Sequence, residues 1–247
     1  MLKTERQALI LRQINLHNRV LSSDLSNEID VSEDTIRRDL NELSDIGKII
    51  KVHGGALSKS FHSSFLRGDI YKVDSKKIIA QKAVSLIHDG MFILTSGGTT
   101  VIEMARLLPE DLHATFFTGS IPAAYEYAQH PNIDVIFIGD KISKGLQITV
   151  GGEAINKINS IKADLCFLGV NAVDENGVSD NDWEVVQVKK AMVQASQKTV
   201  LLTISEKINT HQRIKICGLS DVDILITELD PTDELLTKYK TKYITVL

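Results

Sequence analysis

Val31-Ser32-Glu33-Asp34-Thr35-Ile36-Arg37-Arg38-Asp39-Leu40-Asn41-Glu42-Leu43 is the stretch on which the reading of this 247-residue chain turns. Ile36, Leu40 and Leu43 recur at a spacing of four and three, so one face of a helix must enter a core. Ser32 suits the N-cap, and Glu33 and Asp34 in the first turn suit the positive end of the helix dipole. Thr35 and Arg38 fall away from the apolar stripe, with Arg37 on its flank. Guanidinium forks in such a place can meet base edges and phosphates in a major groove. The competing reading is a solvated face on which Arg37 and Arg38 pair at i, i+4 with Glu33, Asp34 or Glu42.

Upstream, residues 4–17 place Leu9, Ile10 and Ile14 on one stripe, with Arg6 and Arg12 off it, which predicts a first helix. Ser22 and Ser23 offer N-caps to a short second helix carrying Leu25 and Ile29. Downstream, Gly47 ends the third helix, and Lys48 to Ala56 reads as a two-stranded wing with Ile49 turned inward. Gly54-Gly55 permits a tight turn and close approach to a phosphate, and Lys48, Lys51 and His53 add positive or switchable charge. Placement matters here because composition gives nucleic-acid binding no support. The net charge is −4, and residues 1–58 hold eight Lys or Arg against nine Asp or Glu.

The motif from Val31 to Leu43, followed by Gly47 and His53-Gly54-Gly55-Ala56, resembles the signature of the DeoR family in both order and spacing. The resemblance implies a winged helix-turn-helix over residues 1–57 that binds double-stranded operator DNA. Ser32, Thr35, Arg37 and Arg38 are its leading contacts, with Lys51, His53, Gly54 and Gly55 on the wing. Residues 58–72, with Ser58, Ser60, Ser63 and Ser64 among Phe61, Phe65 and Tyr71, read as a linker.

From residue 73 to 247 short β-rich runs alternate with helical stretches. The runs are Met91–Leu94, Thr115–Phe117, Val135–Ile138, Leu165–Leu168, Val200–Ile204 and Ile224–Ile226; helices are expected at 76–88, 99–108, 121–129, 184–197 and 231–239. Strands apolar on both faces and separated by helices imply an α/β fold with a mostly parallel sheet. Asp230-Pro231 fits an N-cap followed by N1. Ligands of such sheets bind beyond the carboxyl ends of the strands. After the first run comes Thr95-Ser96-Gly97-Gly98-Thr99-Thr100, whose amides, hydroxyls and helix start suit a phosphate; a tight strand-to-helix turn is the plainer alternative. Thr118-Gly119-Ser120 and Lys207 follow other strands at the same edge.

This segment resembles the DeoR effector domain, related in fold to ribose-5-phosphate isomerase. Ser96-Gly97, Thr99, Thr118, Ser120, Glu184 and Lys207 are among the shared landmarks. The resemblance implies that the loop at 96–100 and Lys207 hold the phosphate of a sugar phosphate. It also implies a homodimer or homotetramer acting as repressor of a carbohydrate operon. The family has Asp where Thr95 and Ile204 stand, Asn at Gly119 and a second glycine at Asp140, so the sugar-facing groups are altered. Two alternatives follow: a regulator that has lost ligand sensing, or an isomerase-like enzyme. The second is disfavoured because the carboxylates expected at 95 and 204 are missing, which proton shuttling would need. The histidines lack metal-site spacing and no cofactor is expected. No apolar run approaches a membrane span and no apolar leader opens the chain, so a cytoplasmic location is expected.

Overall fold

The computed structural model describes residues 1–59 and 70–247. It divides into two compact units, Met1–Tyr71 and Lys72–Leu247. Most of the expected linker, with Ser60, Phe61, Ser63, Ser64 and Phe65, lies outside the described residues.

In the first unit, helices α1 (Lys3–His17), α2 (Ser22–Ile29) and α3 (Glu33–Asp45) pack with strands β1 (Arg19–Leu21), β2 (Ile49–Val52) and β3 (Gly55–Ser58). The stripe residues Ile10, Ile14, Leu25, Ile36, Leu40 and Leu43 form one buried cluster with Ile49. Lys48 N–H donates to Leu43 O and Gly47 N–H to Ser44 O, with Gly47 at φ +69°, so α3 ends in a Schellman turn. Two expectations change. The wing belongs to a three-stranded antiparallel sheet of order β1-β3-β2, because Arg19–Leu21 pairs with Gly55–Leu57. The start of α2 is capped by neither serine: Leu21 takes the cap position, and Ser22, buried, donates its N–H to Gly54 O at 2.8 Å. That bond ties the helix start to the wing turn.

The second unit is built on seven strands: β4 (Phe92–Thr95), β5 (Thr115–Thr118), β6 (Asp134–Phe137), β9 (Ala163–Gly169), β12 (Ser196–Leu202), β14 (Ile224–Ile226) and β15 (Thr245–Val246). Their order is β15-β14-β12-β9-β4-β5-β6, every pair parallel. Helices α4 (Val73–Val84), α5 (Thr99–Arg106), α6 (Ile121–Tyr127), α7 (Gly152–Asn159) and α8 (Trp183–Gln194) accompany the sheet.

Two additions escape periodicity because their strands are only three or four residues long. One is the hairpin β7 (Lys141–Ser143) with β8 (Ile148–Val150); the other is an antiparallel sheet of β10 (Ala172–Asp174), β11 (Gly177–Asp180) and β13 (Ile214–Cys217). The helix expected at 231–239 is instead a 3₁₀ segment, Glu234–Tyr239. Asp230 turns back onto the Thr232 N–H and hydroxyl, so Asp233 becomes the cap. Leu236 and Tyr239, three apart and both fully buried, fit the three-residue turn.

Candidate functional site

In the first unit, α3 presents two faces. Ile36, Asp39, Leu40 and Leu43 are buried, while Arg37 and Arg38 leave 62% and 77% of their side chains exposed. Ser32 caps the helix by accepting the Thr35 N–H, and the two hydroxyls lie 2.9 Å apart. Arg37 reaches Glu33 at 3.1 Å and Arg38 reaches Asp34 at 2.6 Å, the i, i+4 pairs of the competing reading. Such exposed pairs are worth only a few tenths of a kcal/mol, about 0.3–0.5, so they do not commit the guanidinium groups. Lys51 on β2 donates to Asn41 on α3, joining wing to helix.

Asp39, next to the arginines, carries no signal in sequence that sets it apart from the other acids of α3. It is 2% exposed and accepts Arg6 Nε at 2.5 Å and Gln7 Nε2 at 3.3 Å. This is where Arg6 goes: it holds α1 against α3 and fixes the angle at which the arginines are presented. Only knowledge of the fold pairs residues 33 positions apart.

In the second unit the carboxyl ends of β4, β5 and β9 converge. Ser96 Oγ accepts Gly169 N–H at 2.9 Å and donates to Gly97 O at 3.3 Å. Thr118 Oγ1 donates to Thr95 O and accepts the Ser120 N–H, both at 3.1 Å, and Ser120 caps α6. A narrow pocket of about 30 Å³ lies beside them. Ser96, Gly97, Gly119 and Ser120 line it on one side; Lys189, Val185, Val188 and Met192 of α8 line the other. The hairpin roofs it: a Cβ on Gly97 would stand 2.6 Å from Ile148 Cγ2, and one on Gly119 2.3 Å from Thr149 Oγ1.

Three lysines influence this edge. Lys207 donates to Val170 O at 2.9 Å, one residue beyond the Gly169 that touches the 96–97 turn. Burial, then the charges of Lys76 and Lys189, push the Lys207 pKa down to about 7, while Asp180 opposes them. Lys76, 7% exposed on α4, is pushed down to about 8 by burial, against the pull of Glu103 and Glu206. Lys189 is salt-bridged to Asp180 at 2.9 Å, and Asn171 binds the other Asp180 oxygen at 2.8 Å.

Residues 71–229 match the DeoR C terminal sensor domain, and residues 6–61 match the DeoR-like helix-turn-helix domain. The chain belongs to the DeoR family. It is 35% identical over 238 residues to the HTH-type transcriptional regulator YulB of Bacillus subtilis (strain 168), covering 94% of this chain and 92% of that protein. The glycerol-3-phosphate regulon repressor of Haemophilus influenzae is 30% identical over 225 residues, 90% of this chain and 88% of the repressor. Among solved structures, ribose 5-phosphate isomerase A of Methanocaldococcus jannaschii is similar at 21% identity and TM-score 0.41, over 56% of this chain and 55% of its own. This DeoR-family chain is therefore a DNA-binding transcription regulator with a sensor domain, and not an enzyme. Among the described residues, no helix is long and apolar enough to cross a membrane.

Several residues expected at the DeoR sites stand elsewhere. Gly55 is buried, and a Cβ there would lie 1.9 Å from Val20 O, so the close β1–β3 contact requires its glycine. His53 and Gly54 do stand exposed at the wing turn. Gly98, Thr99, Thr100, Thr118, Glu184 and Lys207 do not line the cavity. Glu184 is instead ion-paired with Lys141 at 2.8 Å, with 46% of its side chain exposed. Thr99 and Thr100 are buried in the first turn of α5, leaving backbone amides as what that turn can offer. Asp140 accepts the Ala154 N–H at 2.9 Å at the start of α7, and these backbone donors hold its carboxyl below the usual carboxylate range. Its role is to cap a helix.

Proposed function

We propose that this regulator is a repressor of a carbohydrate operon whose operator affinity is set by a phosphorylated metabolite bound in the second unit. On DNA, Ser32, Thr35, Arg37 and Arg38 of α3 approach the major groove, and Lys51, His53 and Gly54 of the wing approach the backbone. In the sensor, the ester's phosphate meets the Ser96–Thr100 turn and the start of α5, with Lys207 and Lys76 supplying charge. The relative named as a glycerol-3-phosphate regulon repressor supports a phosphorylated ligand. Two-fold half-sites call for a homodimer or homotetramer, working in the cytoplasm.

The observation that carries this reading is the cationic strain at the sheet edge. Burial pushes the pKa values of Lys207 and Lys76 down to about 7 and about 8, so an added anion at this edge would favour the charged form of both. The sign of the pH dependence follows. Both values lie below the unfolded lysine value, so the stability of the second unit rises as pH climbs from about 7 towards 10. A bound phosphate dianion raises both pKa values. Binding at pH 8 therefore takes up protons, and affinity falls as pH rises from 7 to 9. Calorimetry in buffers of different ionisation heat reads this directly. Lys207→Met should cut both affinity and proton uptake, with operator binding by the free protein unchanged. Zero uptake in the parent protein, or a Lys207→Met protein that binds the ester as tightly, would remove these lysines from the site.

A further inference from the structure

The two edges of the seven-stranded sheet differ. At one, β15 is only two residues long. At the other, β6 carries Val135, Ile136 and Phe137, and no described strand pairs with its outer side. Asp134 and Ile138 donate their N–H groups inward, to Ala114 O and Thr118 O. Alternation along the strand therefore turns the N–H and C=O groups of Val135 and Phe137 outward. Both faces of this edge are apolar and open to solvent. Ile136, 47% exposed, stands opposite Phe117, whose ring lies 5.5 Å from that of Phe92, itself exposed. Phe137, exposed as well, lies on the other face. Such an edge is a template for a further strand.

Charge stands at the two ends of β6 and is of opposite sign. Asp134 opens the strand, exposed, and Lys157 Nζ sits on Gly139 O at 3.0 Å just past its close. The neighbouring Asp140 is spent on the Lys141 and Ala154 amides. We infer that β6 is the surface through which two copies of this chain associate, as an antiparallel pair of strands that joins their sheets. This rests on the dimer reading above and names its surface. A two-fold axis at Ile136 lets Val135 of each copy exchange N–H···O bonds with Phe137 of the other, and sets Ile136 against its own counterpart. The Asp134 end of each strand then meets the Lys157 end of the other, whereas a parallel copy would set like charges together.

Analytical ultracentrifugation of the full chain at micromolar concentration tests this. Ile136 faces solvent in the single chain, so charged substitutions there leave the fold intact, which thermal melting checks. Ile136→Lys and Ile136→Glu should each weaken association at least tenfold, because each sets a charge against its own copy. An equimolar mixture of the two variants should regain the parent's mass. Independently, Ile136→Cys should give an inter-chain disulfide when oxidised with copper phenanthroline, read as a dimer on a non-reducing gel. A parent protein that associates while Ile136→Lys associates as tightly would overturn the surface and leave the dimer reading standing. A mixture that stays dissociated, or an Ile136→Cys protein that does not cross-link, would also overturn it. A monomeric parent would bring down the inference and the dimer reading together.

Discussion

Arg38→Ala is expected to weaken operator binding by about 1–3 kcal/mol, the worth of one guanidinium fork on a base. The same change should leave the melting of the DNA-binding unit almost unmoved. Arg38 is 77% exposed and its pair with Asp34 is an exposed i, i+4 contact, so its removal costs the fold about 0.5 kcal/mol or less. The gap between these two effects is what identifies a reading residue. Gel-shift titration on an operator selected from a random-sequence pool measures the first, and thermal melting the second. An affinity equal to that of the parent protein would reduce Arg38 to the solvated face of the competing reading. Affinity lost in step with the melting temperature would make it structural.

Gly55→Ala should be more damaging, and by a different route. Its Cβ would meet Val20 O at 1.9 Å and Leu21 Cα at 3.1 Å, both backbone atoms, so no side chain can move aside. Strands β1 and β3 must separate, and the Gly54–Ser22 bond that starts α2 goes with them. Overpacking of this kind costs about 3 kcal/mol or more, enough to consume much of a small unit's stability. Gly54→Ala is the control. Gly54 has φ +74° and no atom within 4 Å of an added Cβ, so it carries only the left-handed backbone penalty of about 1–2 kcal/mol. Circular dichroism melting of the two variants should separate them clearly. Equal melting temperatures would show that the β1–β3 contact yields, and Gly55 would return as a candidate phosphate contact.

The recognition helix and the parallel sheet were legible because both rest on long repeats. Ile36, Leu40 and Leu43 announce a buried helix face, and the apolar runs in Met91–Leu94 and Leu165–Leu168 announce buried strands. What stayed hidden depends on partners distant in sequence. Asp39 looks like one more surface acid until Arg6 is folded onto it. Lys76 looks like the solvated start of a helix, yet it is 7% exposed and its charge bears on Lys207, more than a hundred residues away. The hairpin that roofs the sensor cavity has strands of three residues, too short for a period of two to show. The turn proposed to hold phosphate was visible as Ser96-Gly97-Gly98-Thr99. The apolar chamber beside it was not, because α8 contributes Val185, Val188 and Met192 from far along the chain.

The central claim is that a phosphate bound in the sensor unit changes affinity for DNA in the reading unit. Fluorescence anisotropy of a labelled operator, titrated with protein in the presence and absence of saturating glycerol 3-phosphate, tests it most directly. Linkage predicts a shift in operator Kd of at least tenfold, about 1.4 kcal/mol of coupling, that is absent with glycerol and abolished in Lys207→Met. An operator Kd that glycerol 3-phosphate leaves unchanged while calorimetry shows the ester bound would contradict the claim.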